Sequence, residues 1–339
     1  MQLLVTGGAG FIGSNFIRYM LNKYPSISIV NFDKLTYAGN LENLISVEHN
    51  PKYHFTKGDI CDKSQVHAVI KKHNINIIVN FAAESHVDRS ISEPDIFVQT
   101  NIMGTQTLLE AAKALQVTRY IQISTDEVYG SLGETGYFTE ETPLAPNSPY
   151  SASKAGADLL VRAYHETYGL HTNITRCSNN YGPFHFPEKL IPLMITNALE
   201  NKELPIYGNG LNIRDWLHVE DHAAAIDLVI QAGRPGEVYN IGGHNEWSNI
   251  DIVREILTLL GEPMDSIRYV EDRKGHDQRY AIDPSKIMEE LQWKPHYTFG
   301  IGIQETIRWY LDNREWWQRI KTGEYKNYYK QQYEDRLLF

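Results

Sequence analysis

A glycine-rich turn between a short apolar run and a helical pattern constrains the fold of this chain more than any other feature. Residues 6–13, with the sequence TGGAGFIG, follow the run Leu3–Thr6 and open the pattern Gly13–Lys23. Glycines let a backbone turn tightly and approach a pyrophosphate, whose negative charge then lies at the helix N-terminus. A purely structural strand–helix turn is the alternative. The register of strand, turn and helix favours a dinucleotide site, with the motif formed by Gly7 or Gly8 together with Gly10 and Gly13.

Short apolar runs alternate with helical patterns through the first half of the chain. The runs are apolar on both faces, as parallel strands buried between helices are. Strand–helix alternation is typical of βαβ units. We therefore predict an α/β fold, a Rossmann-type doubly wound parallel sheet with a smaller C-terminal α/β region. The predicted strands are Leu3–Thr6, Ile27–Phe32, Ile77–Ala82, Tyr120–Ser124, Asn173–Arg176 and Glu237–Ile241, and the predicted helices are Gly13–Lys23, Lys63–His73, Thr105–Leu115, Pro149–Tyr168 and segments near Ile250–Leu260 and Ile303–Asn313.

The character of the chain changes after about Cys177. Turn formers and prolines become frequent there, and charged residues mix with aromatic ones. This composition predicts loops and small elements at the carboxyl edge of the sheet. We place the dinucleotide-binding domain at 1–176, with a return segment at about 215–244. The second region comprises 177–214 and 245–339.

Charge and cysteine content exclude several classes of protein. The 32 Lys and Arg residues against 42 Asp and Glu residues give a net charge of −10. An acidic chain without a basic run argues against nucleic acid or an anionic membrane as partner. The two cysteines, Cys61 and Cys177, lack metal-ligand spacing and suit a reducing compartment. No apolar run approaches the ~18 residues of a membrane span, and no signal peptide is expected. We predict a cytoplasmic protein without a metal site.

An acidic residue at the end of the second predicted strand indicates which dinucleotide binds. Asp33 lies about 20 residues after the last glycine of the turn. A carboxylate at this position accepts hydrogen bonds from the adenosine ribose hydroxyls and repels a 2′-phosphate, which favours NAD over NADP. The neighbouring Lys34 opposes this preference slightly. Asp59 and Ile60, at the end of a further strand that precedes the predicted helix Lys63–His73, are expected near the adenine.

Tyr150 and Lys154 lie four residues apart in a segment with the start signals of a helix. Ser148 is a good N-cap and Pro149 suits the first helical position, so both side chains project from one helix face. A nearby lysine lowers the pKa of a phenol, which would let Tyr150 take a proton from a substrate hydroxyl as hydride leaves the same carbon. The YxxxK spacing also occurs on ordinary helix surfaces. Combined with the glycine turn, it indicates hydride transfer to a nicotinamide cofactor.

With these motifs the chain resembles the extended short-chain dehydrogenase/reductase family over essentially its whole length. Within that family the loop after the strand Tyr120–Ser124 separates reactions, and here Asp126 and Glu127 follow Thr125 directly. The resemblance implies that Thr125 binds the sugar hydroxyl beside Tyr150. Two adjacent carboxyl groups, one protonated and one ionised, supply the acid and base that water elimination needs. A solvated acidic loop is the alternative interpretation.

The resemblance is closer still to the sugar-nucleotide 4,6-dehydratases of this family. Five segments carry it: residues 81–90, 177–183, 185–192, 205–208 and 213–216. It implies NAD as cofactor and dTDP-glucose as substrate, with C4 oxidation, loss of water across C5 and C6, and return of hydride to C6. It also implies a place in deoxysugar biosynthesis, such as that of dTDP-rhamnose. The preference for thymine over uracil comes from the resemblance alone, because one methyl group is worth about 1–3 kcal/mol in a pocket.

Motifs and resemblance together predict three groups of site residues. The catalytic residues are Thr125, Asp126, Glu127, Tyr150 and Lys154. The residues expected at the cofactor are Gly7, Gly10, Phe11, Ile12, Gly13, Asp33, Lys34, Leu35, Thr36, Asp59, Ile60, Phe81, Ala82, Ala83, Ser85, Thr100, Tyr150, Lys154 and Asn180. The residues expected at the sugar nucleotide are Ser85, Thr125, Asn179, Lys189, Leu190, Pro205, Tyr207, Arg214, Asn249, Arg273 and His276. Arginine suits bidentate phosphate contacts, and Tyr207 could stack on the pyrimidine.

Other functions are compatible with the same fold. Another NDP-sugar 4,6-dehydratase, or a UDP-sugar 4-epimerase or decarboxylase, would share the fold, but the acidic pair argues against the last two. An NAD-sensing regulatory protein would be expected to lack the Tyr–Lys pair or the acidic pair.

Segments at about Asp95–Leu115 and Pro149–Tyr168 carry apolar stripes, and in similar enzymes this pair forms a four-helix interface. We therefore predict a homodimer.

Overall fold

Seven parallel strands form the central sheet, in the order β10-β6-β5-β4-β1-β2-β3. The computed structural model describes residues 1–272 and 274–322. The strands are β1 Gln2–Thr6, β2 Ser28–Asp33, β3 Tyr53–Lys57, β4 Ile77–Asn80, β5 Arg119–Thr125, β6 Thr172–Cys177, β7 Asn179–Tyr181, β8 Leu204–Tyr207, β9 Ile213–His218, β10 Val238–Ile241, β11 Glu246–Ser248 and β12 Ile267–Val270. The predicted doubly wound parallel sheet is confirmed, and the segment predicted at Glu237–Ile241 returns to its edge as β10, beside β6.

Helices cover both faces of this sheet and also build the second region. The helices are α1 Phe11–Lys23, α2 Lys63–Lys72, α3 Val87–Ser92, α4 Pro94–Phe97, α5 Thr105–Ala114, α6 Pro149–Tyr168, α7 Leu190–Leu199, α8 Val219–Ala232, α9 Asn249–Leu260, α10 Ser285–Leu291, α11 Phe299–Asp312 and α12 Arg314–Ile320. Shorter 3₁₀ turns lie at Leu41–Val47, Asp126–Tyr129 and Met264–Ser266, and a π-helical segment at Val98–Gly104 joins α4 to α5. No helix in the described part of the chain is long and apolar enough to cross a membrane.

Strand β1 shows how the sheet is buried on both sides. Leu3 and Val5 pack into a cluster with α1 and α8, whereas Leu4 faces the opposite cluster with α2, α5 and α6. Alternate side chains of a strand point to opposite faces, so a strand covered on both sides is apolar throughout. This double burial holds the carboxyl ends of the strands, where the site lies, in fixed positions.

The second region has its own core at the carboxyl edge of the sheet. Its three-stranded sheet has the order β11-β9-β7, and β8 pairs with β12 in parallel. Apolar side chains of α7, α9, α11 and α12 pack together beneath these strands. Ile287 and Trp293, which follow residue 245, pack against the central sheet together with α8.

The helix that follows the glycine turn begins two residues earlier than predicted. It starts at Phe11, and its N-cap is Gly10, which has no side chain to cap the first amides. The first N–H groups of a helix have no partners within the helix. They are therefore available to an anion bound in front of α1.

Candidate active site

A cavity of about 450 Å³ runs along the carboxyl edge of the sheet, between it and the second region. Nearly all of the predicted site residues line it. Two do not belong to this set: Arg273 lies outside the described residues, and Leu35 is absent from the lining. The backbone N–H of Leu35 instead donates to Asp33 at 2.8 Å. Leu35 therefore contacts the site through its backbone and Asp33, and its place at the cofactor stays a prediction.

The glycine turn forms one wall of the cavity and is packed too tightly for side chains. Gly7 has φ +67°, and a Cβ there would lie 2.6 Å from the amide nitrogen of Ala82. A Cβ at Gly13 would lie 2.5 Å from the carbonyl oxygen of Gly7. At Gly10 the only described atom near an added Cβ is that same oxygen, at 3.3 Å, so a side chain would extend into the cavity. This cradle fits a pyrophosphate at the N-terminus of α1.

Asp33 is buried at the end of β2 with both carboxylate oxygens facing backbone amides. Oδ2 accepts from Ala9 N at 2.9 Å and Oδ1 accepts from Leu35 N. Burial raises the pKa of Asp33, and the two hydrogen bonds oppose this rise. Because a carboxylate oxygen has two lone-pair sites, each can still accept a ribose hydroxyl. Lys34 turns away from this carboxylate and pairs with Asp59 at 2.7 Å. The residues fit NAD.

The Tyr–Lys pair lies on the first turns of α6, as its spacing predicts. Ser148 and Ser151 form a capping box, and Pro149 occupies the first turn. Tyr150 and Lys154 are both buried and line the cavity. The Lys154 ammonium donates to the carbonyl oxygen of Ile123 at 2.7 Å.

The electrostatics of this pair differ from the expectation. Burial, and then the charge of Glu127, raises the pKa of Tyr150 well above its usual value. Burial also lowers the pKa of Lys154, although Asp158 opposes this. The pKa of Tyr150 is thus raised in the folded chain, not lowered as predicted, because burial is the largest cause of the shift.

The acidic pair follows β5 in a 3₁₀ turn that Thr125 caps. Thr125 Oγ1 accepts from Glu127 N at 3.3 Å and donates to Asp126 Oδ1 at the same distance. Asp126 is only 1% exposed, and burial, Glu127 and Asp215 raise the pKa of its carboxyl well above the usual value. These causes favour the protonated form of Asp126, whereas Glu127 is more exposed. One turn thus presents two carboxyl groups in different environments.

The second region contributes the residues that were predicted at the sugar nucleotide. Lys189 Nζ donates to the Ser85 carbonyl at 2.8 Å. The Tyr207 hydroxyl donates to Asp88 at 3.3 Å. The remaining predicted residues of this group along the cavity are Asn179, Leu190, Pro205, Arg214, Asn249 and His276.

Charged residues that sequence reasoning missed join the two regions beside the cavity. Tyr37 donates to Glu188 at 2.9 Å, and Arg89 lies 3.5 Å from the same carboxylate. The Arg89 guanidinium also sits 3.9 Å above the Tyr37 ring. His185 stacks on Phe11 with ring centroids 4.1 Å apart. Arg89, His185 and Glu188 lie within segments 81–90 and 185–192, which could have indicated them, whereas Tyr37 lies in neither segment.

Known proteins resemble this chain over nearly its full length. The family model described as GDP-mannose 4,6 dehydratase matches residues 4–306. A dTDP-glucose 4,6-dehydratase of Xanthomonas campestris is 55% identical, over 95% of this chain and 97% of that protein. A crystal structure of dTDP-glucose 4,6-dehydratase from Bacillus anthracis in complex with NAD has a TM-score of 0.90 at 57% identity, covering 95% of this chain and 100% of that one. The corresponding enzyme of Streptomyces venezuelae, with NAD bound, has a TM-score of 0.92 at 51% identity, again with 95% and 100% covered.

Proposed function

This chain belongs to the GDP-mannose 4,6 dehydratase family, and we propose that it is an NAD-dependent dTDP-glucose 4,6-dehydratase. It converts dTDP-glucose into dTDP-4-keto-6-deoxyglucose and water. NAD, when bound, accepts a hydride from C4 of the sugar and later supplies one to C6. The observation that carries the proposal is the buried Asp126 beside Glu127, in the cavity that also holds Tyr150 and Lys154.

The first step is oxidation at C4, and α6 supplies its base. Tyr150 takes the proton from the O4 hydroxyl while Thr125 holds that hydroxyl. The base in this step is the phenolate of Tyr150, whereas its raised pKa favours the neutral phenol. The Lys154 ammonium on the next turn stabilises the phenolate, because an opposite charge nearby favours the ionised form.

The second step is loss of water, and the turn after β5 supplies an acid and a base. A 4-keto group acidifies the proton on C5, so oxidation must come first. Glu127 then removes the C5 proton, and Asp126 donates its proton to the departing C6 hydroxyl. The raised pKa of Asp126 favours the protonated form that this step needs. An epimerase or decarboxylase has no step for which a protonated carboxyl at this position is required.

The sugar nucleotide extends toward the second region. Lys189 and Arg214 meet the two phosphates, since arginine and lysine are the side chains suited to such charges. Tyr207 stacks on the base, with its hydroxyl fixed by Asp88. Asn179 and Asn249 supply hydrogen bonds, and Arg273 belongs to the same proposed group although it lies outside the described residues.

Assembly and cellular setting are also part of the proposal. Exposed apolar side chains on the two segments predicted at the interface, including Val98, Met103 and Leu159, support a homodimer through a four-helix bundle. The free thiols of Cys61 and Cys177 suit a reducing, cytoplasmic compartment. The product serves deoxysugar biosynthesis, such as that of dTDP-rhamnose.

Isotope transfer tests the reaction directly. The purified protein is incubated with dTDP-glucose carrying deuterium at C4, and the product is analysed by mass spectrometry and NMR. We expect a 4-keto-6-deoxy sugar with the label at C6 and no net accumulation of NADH. Loss of the label to solvent, or a product epimerised at C4 without dehydration, would contradict the proposal.

A further inference from the structure

A histidine outside the cavity lining holds the side chain of Asn180, which is part of that lining. Asn180 lies on β7, where it pairs with Leu217 of β9. Helix α8 begins directly after β9, and His222 is its fourth residue. The ring atom Nδ1 of His222 lies 2.8 Å from Oδ1 of Asn180. The connection from β9 to α8 thus brings an imidazole to the asparagine from behind the cavity wall.

The imidazole of His222 is costly at the depth where it lies. The residue is fully buried, and burial lowers its pKa to about 3, so the ring is neutral near pH 7. Its Nε2 is buried with no hydrogen-bond partner in the described part of the chain. Burying a polar atom without a partner costs free energy, so an apolar side chain would fill this site at lower cost. The hydrogen bond to Asn180 is the contact that an apolar side chain cannot make.

The carbonyl group of Ser178 determines which way the Asn180 amide faces. Asn180 Nδ2 donates to Ser178 O at 2.9 Å. This carbonyl belongs to a fixed backbone, because Ser178 N donates to Ile241 O of β10 at 3.1 Å. A carbonyl oxygen only accepts hydrogen bonds, so the NH₂ group of the amide has to face it. The amide oxygen is therefore the atom that faces His222.

The orientation of the amide in turn determines the tautomer of His222. An amide oxygen only accepts, so Nδ1 of His222 carries the proton and donates it to Asn180 Oδ1. A neutral imidazole has one N–H group, so Nε2 is unprotonated. The opposite tautomer would place two acceptors 2.8 Å apart. With these two bonds made, the Asn180 amide retains one N–H and one oxygen lone pair for a ligand.

The position of Asn180 indicates which part of the cofactor it meets. Strands β5 and β6 end side by side, with Thr125 opposite Cys177, and Asn180 follows three residues later. These three residues and Lys154 line the cavity. Hydride transfer is proposed at this place, so the nicotinamide end of NAD belongs here. Nicotinamide carries a carboxamide, which both donates and accepts, and an asparagine amide with one donor and one acceptor left is complementary to it.

We propose that His222 is a positioning residue that fixes the Asn180 amide in the orientation that binds the carboxamide of NAD. The proposal rests on the proposed function for the place of Asn180 at the reacting end of the cofactor. Asn180 makes the contact, and His222 acts through it. A side chain that is already oriented loses less conformational freedom on binding. Loss of the His222 donor should therefore weaken NAD binding although the cavity lining is unchanged.

The tautomer of His222 can be observed without sugar nucleotide. The full-length protein with NAD bound is labelled with ¹⁵N-histidine, and NMR spectra that correlate ring nitrogens with ring protons distinguish protonated from unprotonated nitrogens. The His222 signals are identified by their loss in His222→Asn. Near pH 7 we expect a neutral ring with its proton on Nδ1. A proton on Nε2, or protons on both nitrogens, would overturn the proposal.

Two substitutions separate positioning from packing. His222→Asn keeps an N–H donor near the place of Nδ1, whereas His222→Leu fills the site without a donor. His222→Leu should be the more stable of the two in urea unfolding, because it buries no unpaired polar atom. Affinity for NAD, measured by quenching of tryptophan fluorescence, should follow the reverse order. We expect binding about 2–10-fold weaker in His222→Leu and close to that of the unaltered protein in His222→Asn.

Further variants complete the test. If His222→Leu does not fold, His222→Met replaces it, because methionine adapts to irregular sites. The matched control is His218→Asn: His218 is a buried histidine that caps α8, asparagine is also a good cap, and NAD affinity should not change. Asn180→Ala should weaken NAD binding at least as much as His222→Leu.

The outcomes distinguish this proposal from the proposed function. NAD affinities that follow the order of stability, or that equal the unaltered value in His222→Leu or Asn180→Ala, would overturn the role of His222. The expected tautomer and affinities in a protein that oxidises no sugar nucleotide would instead refute only the proposed function.

Discussion

Asp126 and Glu127 are adjacent in one 3₁₀ turn, yet only Asp126 is sealed from solvent. Its Oδ2 is buried with no hydrogen-bond partner among the described residues, and Glu127 is one of the charges that raise its pKa. The two carboxyl groups are therefore suited to different roles, an acid and a base. An ionised Glu127 helps Asp126 to keep its proton, and this difference between neighbours is what an elimination reaction requires.

Replacing either carboxyl should separate oxidation from elimination. In Asp126→Asn and Glu127→Gln, the Tyr–Lys pair is intact, so C4 oxidation continues. Loss of the acid or the base should slow dehydration on the order of 10²–10⁴-fold. Bound NADH should therefore build up when dTDP-glucose is added, as measured by its absorbance in stopped flow. Variants that dehydrate at the full rate would contradict the assignment.

The raised pKa of Asp126 also predicts a pH-dependent cost to stability. Between the usual carboxyl pKa and the raised value, the folded chain holds a proton that the unfolded chain releases, so stability falls as pH rises. Asp126→Asn, which cannot ionise, should escape this loss. Each pKa unit is worth about 1.4 kcal/mol. We expect this variant to gain stability relative to the unaltered protein from about pH 4 upward, as measured by urea unfolding at several pH values. A stability difference independent of pH would contradict the prediction.

Asp33 should determine the choice of dinucleotide. Asp33→Ala removes the acceptor for the ribose hydroxyls and the charge that repels a 2′-phosphate. Affinity for NAD should fall about 10–100-fold, since hydrogen bonds to charged groups are worth about 1.5–3 kcal/mol, and its advantage over NADP should shrink. Binding of both dinucleotides is measured by quenching of tryptophan fluorescence. Asp33→Asn is the control that keeps an acceptor and removes only charge. An unchanged ratio in Asp33→Ala would show that Asp33 does not contact the ribose.

A charge on the outer face of α6 should disrupt the proposed homodimer. Leu159 is 58% exposed and lies on a predicted interface helix. Leu159→Glu would place a carboxylate in the apolar contact, where an unpaired charge is strongly unfavourable. Light scattering at micromolar concentration should then report monomers. Ile301→Glu, at a position 56% exposed on α11, is the matched control and should remain dimeric. A dimeric Leu159→Glu would argue against this interface.

Capping residues made the exact bounds of some helices predictable from the sequence. Helix α6 has the predicted bounds Pro149–Tyr168, because Ser148 caps its start and Gly169, with φ +67°, ends it. The start of α1 was misplaced because its N-cap is a glycine without a capping side chain. Caps that depend on side chains can be found in a sequence, and those that depend on an expected ligand cannot.

Features that depend on contacts between distant segments could not be predicted from the sequence. Strands β7 and β11 have three residues each, too few for a periodicity, and they meet only through β9. The contacts of Glu188 with Tyr37 and Arg89 bring together two loops and helix α3, which are far apart in the chain. The direction of the Tyr150 pKa shift was missed for a similar reason, since it depends on burial that only the folded chain provides.

The π-helical segment Val98–Gly104 has a consequence for protein engineering. Its wide turn directs Thr100 into the cavity, while Val98 and Met103 lie on the exposed surface. Surface redesign in this stretch, for solubility or for fusion to a carrier, would also shift the wall of the cavity. A monomeric form that retains its pocket is better sought through α6. This helix is regular, so its exposed Leu159 can be replaced without changing the buried face that carries Asp158.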